Sequence, residues 1–137
     1  MNQYDNIVNI IRDHFPGMEA VYLFGSYGTE DEWIDSDLDI ALLLPHEESC
    51  GHRDFSLTSC HDDLMKATGR VVDLINIRAV STVFQTEIIK TGRLIYCADS
   101  EAVADFESLM ISQYQKLNEE RRMIIESFQK TGRAYAI

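Results

Sequence analysis

The chain has 137 residues, 45% of them hydrophobic, enough for one buried core and too few for a separate substrate-binding domain, so residues 1–137 are read as a single domain. Twelve basic residues stand against 23 acidic ones, a net charge of −11, which disfavours direct contact with a nucleic-acid backbone and favours a partner with a basic surface. No run of about 20 apolar residues or signal-peptide pattern stands out, and Cys50, Cys60 and Cys97 make no CxxC pair, so we expect a cytoplasmic protein with reduced thiols and no membrane contact.

In chain order, an opening helix is expected from about Gln3 to His14, with Tyr4, Ile7, Val8 and Ile11 on one stripe and Pro16-Gly17 as its stop. Ala20 to Phe24 and Leu38 to Leu44 are apolar runs that read as buried strands. Between them Trp33 is expected to pack against the domain. A helix is expected around Arg53 to Thr68, ending at Gly69, with Phe55, Leu64 and Met65 inward and the nearby histidines in solvent. His46, Cys50, His52, Cys60 and His61 crowd together there, but their irregular spacing argues against zinc. Val71 to Ile77 reads as a strand with one acidic residue, Asp73. A helix starting at Ser81 or a neighbour follows, with Val83, Phe84, Ile88 and Ile89 as its buried face and Gly92 past its end. Leu94-Ile95-Tyr96 reads as a last strand, closing a core of about residues 1–98.

From about Ser100 to Lys130 there is no Gly or Pro, and Val103, Phe106, Met110, Tyr114, Leu117, Ile124, Ile125 and Phe128 recur at helical spacing. Unbroken, this helix would run about 45 Å, longer than so small a domain is wide. Either it bends back or breaks into two helices over the sheet, or its far stripe docks a partner helix or a second copy.

The chemistry concentrates between Phe24 and Leu44: Gly25-Ser26, ten residues, then Asp37-Leu38-Asp39. Asp37 and Asp39, two apart along a strand, point to one face. Crowded carboxylates raise each other's pKa unless a cation neutralises them, and hard oxygen ligands suit Mg²⁺ or Mn²⁺. Gly25 and Ser26, where a strand ends, offer backbone amides and a hydroxyl to phosphate. If the Asp73 strand lies beside the Asp37/Asp39 strand, Asp73 completes a three-carboxylate cluster able to hold two metal ions about 3.5 to 4 Å apart, the arrangement of nucleotidyl transfer.

Gly25-Ser26-x10-Asp37-x-Asp39 with a later strand Asp73 resembles the DNA polymerase beta-like nucleotidyltransferase superfamily, in its minimal nucleotidyltransferase (MNT) branch. The resemblance covers about residues 20 to 96. It implies a small mixed sheet flanked by helices, an α/β (α+β) fold, here with a long C-terminal helix. Many members of this branch are antitoxins of HEPN-domain RNase toxins, and the resemblance implies AMP transfer from ATP to a hydroxyl, a tyrosine of the toxin, within a hetero-oligomeric complex. One departure is visible: many relatives have Arg after the Ser and a basic loop, where this chain has Tyr27-Gly28-Thr29-Glu30-Asp31-Glu32. Lys66, Arg70, Arg78 or Arg93 could supply phosphate contacts instead. Two other readings are a catalytically silent antitoxin acting by occlusion, which the acidic loop favours, and an aminoglycoside-type small-molecule enzyme, which the lack of a further domain disfavours.

Overall fold

The computed structural model describes residues 4–25, 37–45 and 58–131. Ser26, the loop through Trp33, His46, Cys50, His52, Phe55 and the tail after Thr131 lie outside the described residues.

Helix α1, Asp5–His14, buries Ile7, Val8 and Ile11, with Tyr4 at its start, as the stripe required. The chain then enters strand β1, Ala20–Phe24, and strand β2, Leu38–Leu43, which pair antiparallel. Helix α2, Ser59–Thr68, is shorter than the sequence suggested. Thr58 is extended rather than helical, and its hydroxyl accepts from the His61 amide, so the capping interaction sets the start at Ser59. Gly69, at φ 68°, takes the left-handed conformation that closes the helix. Strand β3, Val72–Asn76, runs parallel to β2, and α2 is the crossover between them.

A 3-10 turn, Ile77–Ala79, leads to helix α3, Thr82–Thr91, whose N-cap Ser81 accepts from the Phe84 amide. Its buried residues are Gln85, Thr86 and Ile88, while Val83 and Phe84 are exposed. The expected apolar face is therefore corrected. Gln85 turns inward because its amide can donate to the Ile77 carbonyl at 2.9 Å, so a polar side chain closes the strand-to-helix connection. Strand β4, Arg93–Cys97, pairs antiparallel with β1, and the sheet order is β3-β2-β1-β4.

Two apolar clusters sandwich this sheet. Alternate residues of the strands, Val21, Leu23, Leu38, Ile40, Leu42, Val72 and Leu74, pack with α1 and α2. The opposite alternates, Ala20, Tyr22, Ala41, Leu43 and Ile75, pack with Ile88 of α3 and with Val103, Phe106 and Met110 of α4. Helix α4, Ser100–Thr131, is continuous over 32 residues. The fully buried Tyr22 donates its hydroxyl to Glu107 Oε2 at 2.9 Å and so pins α4 to the middle of the sheet. Burial and the Glu107 hydrogen bond push that phenol's pKa up, so it stays a donor. Beyond Met110 no side chain of α4 with a described environment is buried.

Candidate active site

The parallel register between β2 and β3 sets Asp39 directly beside Asp73, and the antiparallel register between β1 and β2 sets Phe24 opposite Asp39. Partners in register share a face, so Asp39 and Asp73 lie on the α3/α4 side, above Ala41 and Ile75. Asp37, just before β2, has the same parity. The three carboxylates thus gather at one end of the sheet, two held by strand pairing and one on the residue just before β2. Asp37 and Asp73 are exposed, while Asp39 is partly buried.

Asp39 carries the electrostatic signature of this crowding. Burial, then the Asp73 carboxylate, then the Asp37 carboxylate push its pKa up from 3.8 to about 6. The carboxylate is still ionised above about pH 6, but at a cost that nearby positive charge would relieve. Gly25 closes the arrangement from β1. Its φ of 76° suits glycine, and a Cβ there would lie 2.2 Å from Asp39 Oδ2. The missing side chain is what allows the carboxylate to sit against the backbone at the strand end.

The donor chemistry fits a hard divalent cation: three carboxylates, no nitrogen or sulfur, and a central acid whose charge is uncompensated. Among the described residues no three His, Cys, Asp or Glu side chains close into a ligand cage. The carboxylates are an open donor set, of the kind Mg²⁺ completes with waters and phosphate oxygens.

The basic candidates separate by position. Arg78 stands at the opposite end of the sheet, where Nε donates to the Leu44 carbonyl at 2.7 Å, Nη2 meets Glu19 at 3.1 Å and the guanidinium lies over Phe106. It is committed to structure there. Arg70, just before β3, and Arg93, opposite Leu23 with its guanidinium 5.2 Å from the Tyr4 ring centre, are at the carboxylate end. Lys66 is exposed in the last turn of α2.

Two local expectations change. His61 is not in solvent: its side chain is 13% exposed and Nε2 donates to the Val72 carbonyl at 2.7 Å. The α2 cap turns the first-turn residues toward the edge of β3, which periodicity alone does not reveal. Cys60 is buried, and burial followed by the Asp63 charge pushes its thiol pKa up to about 12, the reverse of what a metal-binding thiolate needs. Sequence reasoning also missed the edge-to-face pair of Phe24 and Phe84, 5.5 Å between ring centres, which lines the α3 side of the site and keeps Phe84 near the surface.

Among known proteins, the family model described as "Polymerase beta, Nucleotidyltransferase" matches residues 5–101. The chain is 30% identical over 122 residues to the protein adenylyltransferase MntA of Shewanella oneidensis, covering 89% of this chain and 84% of that protein. A crystal structure of a toxin-antitoxin with AMP-PNP superposes with a TM-score of 0.73 at 29% identity, over 93% of this chain and 99% of that one. A structure of a tri-AMPylated Shewanella oneidensis HEPN toxin in complex with its MNT antitoxin gives a TM-score of 0.67 at 29% identity, over 91% and 94%.

Proposed function

This chain belongs to the polymerase beta nucleotidyltransferase family, and from that premise we propose that it is an antitoxin that transfers AMP from ATP to a tyrosine hydroxyl of a HEPN-type toxin. The observation that carries the reading is the juxtaposition of Asp39 and Asp73 across β2 and β3, with Asp37 and Gly25 beside them. The relatives add the substrate classes: one is named a protein adenylyltransferase, and others are toxin complexes holding AMP-PNP or an AMPylated HEPN toxin.

In this reading Asp37 and Asp39 would hold one Mg²⁺, or Mn²⁺, and Asp73 would share in holding a second. When bound, the ions supply positive charge to the triphosphate and to the attacking oxygen. The chain's own residues do the rest. The backbone at Gly25, free of a Cβ, lets the leaving pyrophosphate approach, and Ser26 adds a hydroxyl. Asp73, exposed on its strand, faces the acceptor and takes the proton as the tyrosine oxygen forms its bond to the α-phosphorus. The bond from that phosphorus to the bridging oxygen breaks, and pyrophosphate leaves. The partner docks on the distal half of α4, where Leu117, Ile124 and Phe128 continue the face that Val103, Phe106 and Met110 bury on the sheet.

Intact-mass spectrometry of the toxin after incubation with this protein, ATP and Mg²⁺ tests the reading. The toxin should gain one adenylyl group or several. An unchanged toxin mass in a complex that nevertheless forms would identify occlusion as the mode of neutralisation.

A further inference from the structure

We infer that His61 is a positioning residue for AMP transfer: by holding the outer edge of β3 it sets where Asp73 stands relative to Asp39. The inference rests on the function proposed above, because it takes Asp73 to act in the transfer.

Among the described residues strand β3 is at the edge of the sheet, bonded to β2 on one side only. On that inner side the Val71 carbonyl accepts from the Leu38 amide at 2.8 Å. The next carbonyl, of Val72, therefore points outward, where an edge strand ordinarily meets water. Here His61 Nε2 donates to it at 2.7 Å from the first turn of α2. Thr58 fixes the backbone of that turn by accepting from the His61 amide at 3.3 Å. Nδ1 of the ring is buried with no hydrogen-bond partner, and the Asp62 carboxylate at 3.8 Å is beyond hydrogen-bond reach. Leaving a buried polar atom unpaired costs free energy, and the fold bears that cost while keeping Nε2 on the strand.

Val72 immediately precedes Asp73. Asp73 is exposed and stands in register beside Asp39, on a strand that among the described residues pairs with one neighbour only. The His61 bond supplies the restraint from the other side. Catalytic groups lose much of their rate when displaced by a fraction of an ångström, so this tether affects transfer more than nucleotide binding.

Two amide substitutions separate the tether from general packing. His61→Gln places its amide nitrogen as many bonds from Cα as Nε2, whereas His61→Asn places it at the Nδ1 position, out of reach of Val72. Transfer onto the toxin by His61→Asn is expected to be slower by about tenfold in kcat, with affinity for AMP-PNP and Mg²⁺ within twofold of wild type, and His61→Gln should recover most of the rate. In nucleotide-free protein, hydrogen exchange of the β3 amides should be faster in the Asn variant than in the Gln variant. Equal rates and equal exchange in the two variants would overturn the inference. So would losses of rate that simply follow melting temperature across the set with His61→Ala and His61→Phe. A wild-type chain that transfers no AMP defeats the proposed function instead, and the exchange difference still reports whether the tether exists.

Discussion

The carboxylate end of the sheet and the distal half of α4 differ in charge and in the kind of group they present. Residues 113–137 hold five of the 12 basic residues but only three of the 23 acidic ones, so the rest of the chain carries −13 against their +2. At the sheet end, the chemistry proposed above would come from polar groups forced together: strand register crowds Asp39 against Asp73, and the fold tolerates the repulsion. Along distal α4 the docking proposed above would come from apolar groups left uncovered: Met123, Ile124, Ile125 and Phe128 are 42 to 59% exposed, and nothing lies beneath them among the described residues. A site for an ion and a phosphate is marked by excess charge in a small space. A surface for a protein is marked by apolar area with no core to cover it.

The sharpest way to break this contrast is to remove charge at the sheet end. Asp37→Asn with Asp39→Asn should reduce toxin labelling by at least about a thousandfold, measured by intact mass, while the protein stays folded. Asp73→Asn should lose most labelling yet keep AMP-PNP affinity within a few-fold by calorimetry. Labelling close to wild type in either variant would displace the site from this end of the sheet.

The arm should respond in the opposite sense. Leu117→Glu with Ile124→Glu is expected to weaken the toxin complex by several kcal/mol, the scale of losing central anchors and burying unpaired charge. The isolated chain should melt almost as before. Phe106→Ala, on the same helix but 4% exposed against the sheet, should instead cost about 3 to 5 kcal/mol of folding stability. If the Glu pair lowers the melting temperature as Phe106→Ala does, the distal stripe belongs to the protein's own core.

A smaller effect concerns stability and pH. Asp39 titrates near 3.8 when unfolded and about 6 when folded, so the folded chain binds this proton more tightly. Its contribution to stability therefore rises as pH falls from about 6 toward 4, and above pH 6 the ionised carboxylate is a liability of at most about 3 kcal/mol. In the absence of divalent ions, Asp39→Asn should raise the melting temperature at pH 7.5, and that gain should vanish by pH 4. A variant that melts lower at neutral pH would mean the Asp39 carboxylate stabilises the fold rather than straining it. The smallest change expected is Arg122→Ala on the arm, whose ion pairs with Glu119 and Glu126 are exposed. It should alter stability by about 0.5 kcal/mol or less in thermal melts.

Much of this was legible in the residues themselves. The α1 stripe, the strand runs around Gly25 and Asp39, the strand holding Asp73 and the helical character of residues 100–130 all follow from periodicities that local geometry enforces, whereas only the structure shows that α4 is unbroken. The spacing of Gly25, Asp37, Asp39 and Asp73 also pointed to the candidate site, and the strand register brings Asp39 and Asp73 together there. What periodicity missed were contacts that depend on a partner in a neighbouring element. Gln85 displaced Val83 and Phe84 from the α3 core because a carbonyl at Ile77 needed a donor. His61 left solvent because the Thr58 cap aimed it at the edge of β3.

The sequence by itself determined which residues are acidic, apolar or free of a side chain, and at what intervals, which settles the elements and the kind of chemistry. Only the tertiary structure decided that β3 pairs in parallel with β2 in the register that sets Asp73 beside Asp39, that Arg78 serves the far end of the sheet, and that the buried face of α4 ends at Met110. The reason is physical: propensity and periodicity act over a turn or two of chain, whereas register, desolvation and repulsion between charges exist only once distant segments share the same space.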